Sequence, residues 1–230
     1  MRIDRVHLSR VRVPLSHIYV SSRVVLRSYE KTVVRLISND GLIGVGETAG
    51  DAAGFDLACK FASSLLGYSV PSAAFLDEFT AFRAFRGRPV ECRKAAGGIE
   101  MALWDIAGKS IGVPVCSLLG GRVHHKIDMV CEISAGPFQP QDNNETLDAF
   151  FSDIENVDLV VAKAVSVVER YGYRSIKQKS IGSNIEWDRR VMTALRNELG
   201  PDVNLRLDPN AAYSVSDASE LCRQIDDLGL

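Results

Sequence analysis

The chain has 230 residues, 46% hydrophobic and 24% charged, the balance of an ordinary globular protein and not of a disordered or fibrous one. Its formal net charge of -2 gives no basic footprint for nucleic acid, and no stretch reaches the ~18 uninterrupted apolar residues of a membrane span. The opening MRIDRVHLSR interleaves charges with apolar residues where an export signal needs a continuous apolar run, so a cytoplasmic location is expected.

In chain order, Ile3, Val6, Leu8, Val11 and Val13 alternate imperfectly with polar residues, which predicts an irregular strand ended by Pro14. Leu15 to Glu30 reads as a polar loop of unusual length, and such loops are more often functional than idle. Lys31 to Ser38 and Leu42 to Glu47, joined by Asn39-Asp40-Gly41, predict a hairpin. Gly41, Gly44 and Gly46 lie inside that hairpin and open no helix, so they are turn and strand glycines and not a phosphate loop. Helical spacing follows over Phe55 to Gly67, Ser72 to Phe85 and Glu91 to Gly112, the last with Ile99, Ala102, Leu103 and Ile106 on one stripe.

Gly120-Gly121 and the polar stretch after it predict a boundary, giving a domain over 1–124 and a second over 125–230. Past it, strand and helix alternate. Ile127 to Ile133, Arg174 to Lys179 and Val203 to Asp208 read as strands, with helical material in Asn144 to Tyr171, Ser183 to Leu199 and Ser214 to Leu228. Ser183 with Glu186 fits a capping box, and Ser214 with Asp217 a second start signal. This order predicts a parallel sheet, and about three strand-helix units fall short of the ~250 residues of a closed (β/α)8 barrel. The fold expected is an α+β domain followed by an incomplete barrel.

Lys177 and Lys179 stand two apart on one strand, so they share a face with Cα atoms about 7 Å apart. Each ammonium disfavours the other's charge, which predicts a lowered pKa for at least one and a usable base near neutral pH. Two solubilising lysines would read the same way. Asp208 closes the next strand before Pro209-Asn210, where parallel folds place their chemistry, and a carboxylate beside a carboxamide suits a hard divalent cation. It equally suits an Asp-Pro-Asn turn entrance. Taken together, two lysines and an aspartate at adjacent strand ends favour chemistry. The five cysteines form no CxxC pair and read as buried free thiols, while the four histidines read as surface or loop residues. Trp104 and Trp187 fall within helices and read as core packing.

These segments carry a resemblance. NDGLIGVGE (Asn39 to Glu47), GGIEMALWDIAGKSIGVPVCSLLGG (Gly97 to Gly121), KQK (Lys177 to Lys179) and LRLDPNAAYS (Leu205 to Ser214) are similar to the mandelate racemase and muconate lactonizing enzyme branch of the enolase superfamily. The resemblance implies an α+β capping domain over a (β/α)8 barrel, and Mg2+-assisted removal of the proton next to a carboxylate. It implies Lys179 as the base, Lys177 as its pKa-lowering and carboxylate-contacting neighbour, Asp208 as the first Mg2+ ligand and Asn210 as a nearby or substrate contact. GETAGD (Gly46 to Asp51) with LRLDPNAAYS looks most like the glucarate dehydratase type of acid-sugar dehydratase, with muconate cycloisomerases and epimerases as alternatives.

In such proteins the loop matching Leu15 to Glu30 helps select substrate, which nominates His17, Tyr19 and Arg23, with Ser16, Ser21 and Ser22, as contacts to a polyhydroxylated acid. The expected partner is that small carboxylate, with no nucleic acid and no membrane, and with self-association into a homo-oligomer left open. The family's further metal ligands and opposing acid come from later strands, so this stretch alone is expected to be inactive. A non-catalytic fragment that associates through an unpaired sheet edge is the reading from a different class.

Overall fold

A computed structural model describes residues 1–70, 89–134, 156–182 and 184–230, and for residue 17 the backbone alone. The chain divides into two units, one built from Met1–Val13 and Ser28–His125, the other from Pro14–Arg27 and Lys126–Leu230.

The first unit is founded on a sheet of order β1-β2-β3, with β1 at Ile3–Val20, β2 at Val25–Ser38 and β3 at Ile43–Ala49. β2 and β3 are antiparallel, with Val34 opposite Gly46 and Leu36 opposite Gly44. The turn between them is the expected one: Gly41 sits at φ 91°, a conformation that favours glycine. Helix α1 (Ala52–Ser63) starts at Asp51, whose side chain accepts the Gly54 N–H. Helix α2 (Val90–Ile111) lies on β3 at backbone contact. A Cβ on Gly44 would stand 2.2 Å from the Ala102 carbonyl oxygen, and one on Gly46 would stand 1.9 Å from that of Gly98. Thr48 Oγ1 donates to the Lys94 carbonyl at 2.7 Å, and Asp105 accepts the Val45 N–H at 2.8 Å, fixing the helix along the strand. Ile3, Val34, Leu36, Ala62, Ile99, Ala102 and Leu103 form this unit's core. A short helix, α3 (Val115–Leu118), follows α2.

Two expectations change here. Pro14 does not end the first strand, and Leu15 to Glu30 is no loop: β1 runs on to Val20, turns over Ser21 to Val24 and returns as β2. β1 is an edge strand, the place where a proline lacking its N–H is tolerated in a sheet. The helix expected over Ser72 to Phe85 lies outside the described residues.

The second unit contains the parallel sheet that the alternation predicts. β4 (Cys131–Ile133), β5 (Ser175–Lys179) and β6 (Asn204–Asp208) run side by side in that order, with Glu132 level with Lys177, and Lys179 level with Asp208. Only the last three residues of the expected Ile127 to Ile133 strand pair. The helices between the strands are α4 (Val157–Tyr171) and α5 (Ile185–Leu199), and α6 (Val215–Gln224) follows β6. Residues 144–155, the start of the expected helical material, lie outside the described residues, as does Ser183. Among the described residues, the cap of α5 is Asn184, whose side chain accepts the Trp187 N–H at 3.0 Å. Ser214 caps α6 as expected.

β5 pairs with β4 along one edge and β6 along the other, and four of its five residues are buried. Its Ile176 joins Ile133, Leu205, Val160, Ala164, Trp187, Val191, Met192 and Leu195 in a core shared with Ile18 and Val20 of the β1 extension. The cysteines are free, but four are half-buried and Cys222 is exposed, so full burial is not their state. Among the described residues no helix is long and apolar enough to cross a membrane.

Candidate active site

The face of the parallel sheet opposite Ile176 carries the lysines. Period-two alternation sends Ile176 to the helices and Lys177 and Lys179 to the other side, and parallel pairing brings Glu132 and Asp208 level with them. Lys179 Nζ donates to Asp208 Oδ2 at 2.7 Å and to Asn210 Oδ1 at 3.2 Å. Lys177 Nζ stands 2.5 Å from Glu132 Oε2 and 3.5 Å from Asp208 Oδ2. The two amines differ in access, since the Lys179 side chain is 6% exposed and that of Lys177 is 31% exposed.

Lys177 is not the member of the pair that carries the lowered pKa expected for at least one of them. Its pKa is raised, chiefly by the hydrogen bond to Glu132, and the like charge of Lys179 pulls the other way with less effect. Asp208 is held below the ordinary carboxylate value, first by the hydrogen bond from Lys179. Asp208 forms the turn and meets the lysines with different oxygens. Its Oδ1 accepts the Asn210 N–H at 3.1 Å, closing the Asp-Pro-Asn turn, while Oδ2 faces the ammonium groups.

Beyond the turn, Asn210 and Ala211 adopt left-handed φ values of 52° and 58°. Asparagine enters that region readily, whereas alanine does so at a cost of about 1–2 kcal/mol, so the loop is held there by its contacts. Those contacts include the turn of the long hairpin. Ser22 Oγ donates to the Pro209 carbonyl at 2.8 Å, and Arg23 Nε and Nη2 donate to the Asn210 carbonyl at 3.1 and 2.9 Å.

Lys177, Lys179, Asp208, Asn210 and Arg23 are therefore brought into one connected group. Tyr19 is half-buried on β1, alternating with the core residues Ile18 and Val20, and His17 lies on the same strand. Sequence reading missed Glu132. Its signal was an acid near the end of a predicted strand, meaningful only once the register with Lys177 is known.

Behind this group lies a second set. Tyr213 donates to the fully buried Asp188, and Tyr213 Oη and Ser180 Oγ share a hydrogen bond of 3.0 Å. Burial pushes the pKa of Asp188 up, and burial with the Asp188 hydrogen bond pushes that of Tyr213 up.

Asp208, Asn210 and Glu132 offer oxygen donors only, the chemistry of a hard cation such as Mg2+. Among the described residues no group of three or more His, Cys, Asp or Glu stands together as a metal cage. Asp208 thus fits as one ligand of a shell that these residues do not complete alone.

The chain matches the mandelate racemase / muconate lactonizing enzyme N-terminal domain over residues 6–120, and the enolase C-terminal domain-like family over 159–230. A probable glucarate dehydratase from Streptomyces coelicolor is 29% identical across 99% of this chain and 57% of its own length. D-galactarolactone cycloisomerase from Agrobacterium fabrum is 31% identical across 94% of this chain and 53% of its own. The chain therefore spans a little over half the length of these relatives. The crystal structure of an enolase from Streptomyces coelicolor superposes with a TM-score of 0.80 at 29% identity, covering 100% of this chain and 58% of that one. An enolase from Thermobispora bispora, solved with magnesium and formate, superposes at 0.75 with 27% identity, covering 99% of this chain and 56% of its own. With the shared fold, the strand-end lysines and both domain matches agreeing, the chain belongs to the mandelate racemase / muconate lactonizing enzyme family of the enolase superfamily.

Proposed function

We propose that this chain carries the base side of an Mg2+-dependent enzyme that removes the proton next to a carboxylate, and that the reaction is dehydration of an acid sugar. The observation that carries this reading is the convergence of Lys177, Lys179 and Asp208 at adjacent carboxyl ends of parallel strands, with Lys179 Nζ 2.7 Å from Asp208 Oδ2. In this reading residues 1–124 are the capping domain, and the three parallel strands with their helices begin a (β/α)8 barrel.

Lys179 is the base. It is enclosed, so its amine is shielded from competing water and held in one orientation by Asp208 and Asn210. Lys177, more exposed and kept charged by Glu132, is placed to hold the substrate carboxylate. Asp208 would hold Mg2+, assisted by the neighbouring amide of Asn210. When bound, the cation neutralises charge developing on the carboxylate as the proton leaves. His17, Tyr19 and Arg23, on the hairpin extension, are the residues nearest in sequence to a substrate-selecting role, Arg23 through its hold on Asn210.

Dehydration is favoured by the likeness to the probable glucarate dehydratase across the chain. Cycloisomerisation is the second reading, because the galactarolactone cycloisomerase is 31% identical. Both need the same proton removed. The test uses this chain joined to later barrel strands of the family, which supply the remaining metal ligands, incubated with aldarates, aldonates and their lactones, with Mg2+, in deuterated water. Exchange of the α-proton with formation of a 2-keto acid supports dehydration. Exchange with lactone opening or closure supports cycloisomerisation. Absence of exchange from every acid, or exchange that survives Lys179→Ala, overturns the proposal, since removing a general base costs ~10²–10⁴ in rate.

A further inference from the structure

The turn of the β1-β2 hairpin is tied to the loop after β6 more closely than a covering flap requires. Ser21 organises the turn itself: its Oγ accepts the N–H groups of Arg23 and Val24, each at 3.3 Å, and its own N–H donates to the Val24 carbonyl at 3.0 Å. Ser22 then bridges two strand ends. Its N–H donates to the carbonyl of Ser180, just past β5, at 3.0 Å, and its hydroxyl donates to the carbonyl of Pro209, just past β6. Arg23 adds two donors to the carbonyl of Asn210.

Beneath them is Gly182, at φ 77°, where a Cβ would stand 2.4 Å from Ser22 Cβ and 2.7 Å from Ala212 Cβ. The hairpin turn, the β5 end and the β6 loop meet over this glycine with no room for a methyl group. Asn210, followed by the left-handed Ala211, links the two: its carbonyl accepts from Arg23 and its Oδ1 from the Lys179 ammonium.

We infer that Ser22 and Arg23 are positioning residues for Lys179: by gripping the Pro209 and Asn210 carbonyls, they hold the left-handed loop so that the Asn210 side chain orients the Lys179 amine. The hairpin turn thereby governs the orientation of the base. The inference deepens the proposed function and rests on it for its catalytic meaning, but the geometry it asserts can be tested without turnover.

The experiment is competitive acetylation of the folded protein with trace acetic anhydride, reading Lys179 against Lys177 by mass spectrometry, in Arg23→Met, Arg23→Lys and Gly182→Ala. Loosening the grip frees the enclosed amine, so Arg23→Met and Gly182→Ala raise the Lys179 to Lys177 labelling ratio several-fold, and Arg23→Lys, which keeps a donor, restores part of it. Hydrogen exchange should quicken at the Asn210 and Ala212 amides, which donate to Asp208 Oδ1 and the Pro209 carbonyl. General loosening would raise both lysines together. An unchanged ratio in both disrupting variants, with circular dichroism of the native form, overturns the inference, as does a rise shared equally by the two lysines. A raised ratio in a protein that never exchanges an α-proton even when joined to the family's later barrel strands supports the positioning role and removes the proposed function instead.

Discussion

Glu132 shows how one residue changes the meaning of its neighbours. Two lysines on one face would ordinarily depress each other's charge, yet Lys177 is held charged because a carboxylate from the adjacent strand reaches it first. Glu132→Gln should lower the pKa of Lys177 toward the ordinary lysine value of 10.5, as followed by NMR titration of 13C-methylated protein. A Lys177 that titrates unchanged would refute this assignment. Asp188 makes a prediction of opposite sign to Asp208. Its pKa is raised above the ordinary 3.8 by burial, so its protonated form favours folding, and that contribution is lost as pH rises from about 3.8 through the higher folded value. The denaturation midpoint of Asp188→Asn, relative to the wild type, should therefore climb as pH increases over that range. Asp208, held low by Lys179, stabilises the fold above its ordinary 3.8, and this is lost on further acidification.

Element boundaries follow local chemistry where it is unambiguous. Asp51, Asn184 and Ser214 all cap helices through side-chain oxygens. Asn184→Ala should cost about 1 kcal/mol in urea unfolding, within the usual ~0.5–2 for a lost cap. Gly46→Ala should cost more than the ~0.5 kcal/mol of an ordinary surface change, because its methyl would meet the α2 backbone, and it should be read by thermal unfolding. The lysine strand, the aspartate strand and the Asn39 to Gly41 turn were legible in the sequence because alternation and turn residues are local signals. The hairpin extension was not, since Pro14 and a polar composition imitate a loop, and only the edge position of β1 makes the proline harmless. Glu132 was hidden for a related reason: β4 pairs over only three residues, and its register belongs to the sheet, not to the segment.

At the scale of the whole molecule, the division into units does not follow the chain. Residues 14–27 belong with residues 126–230, and Ile18 and Val20 are members of the core that includes Trp187 and Met192. Ile18→Ala should cost ~2–5 kcal/mol, the range for truncating a buried isoleucine, and should be felt as early unfolding of the parallel sheet. Residues 126–230 produced alone should lack a cooperative transition in denaturant, and a peptide of residues 14–27 supplied in trans should restore part of it. Native near-UV dichroism in the isolated segment would refute this. An interleaved order of this kind also constrains ancestry. Recombination at one crossover after residue 125 would separate Ile18 and Val20 from the residues they pack against, so hybrids between distant relatives inherit mismatched halves of a single core. Exchanging residues 126–230 for another's requires two cuts, or a matching replacement of the first strand pair.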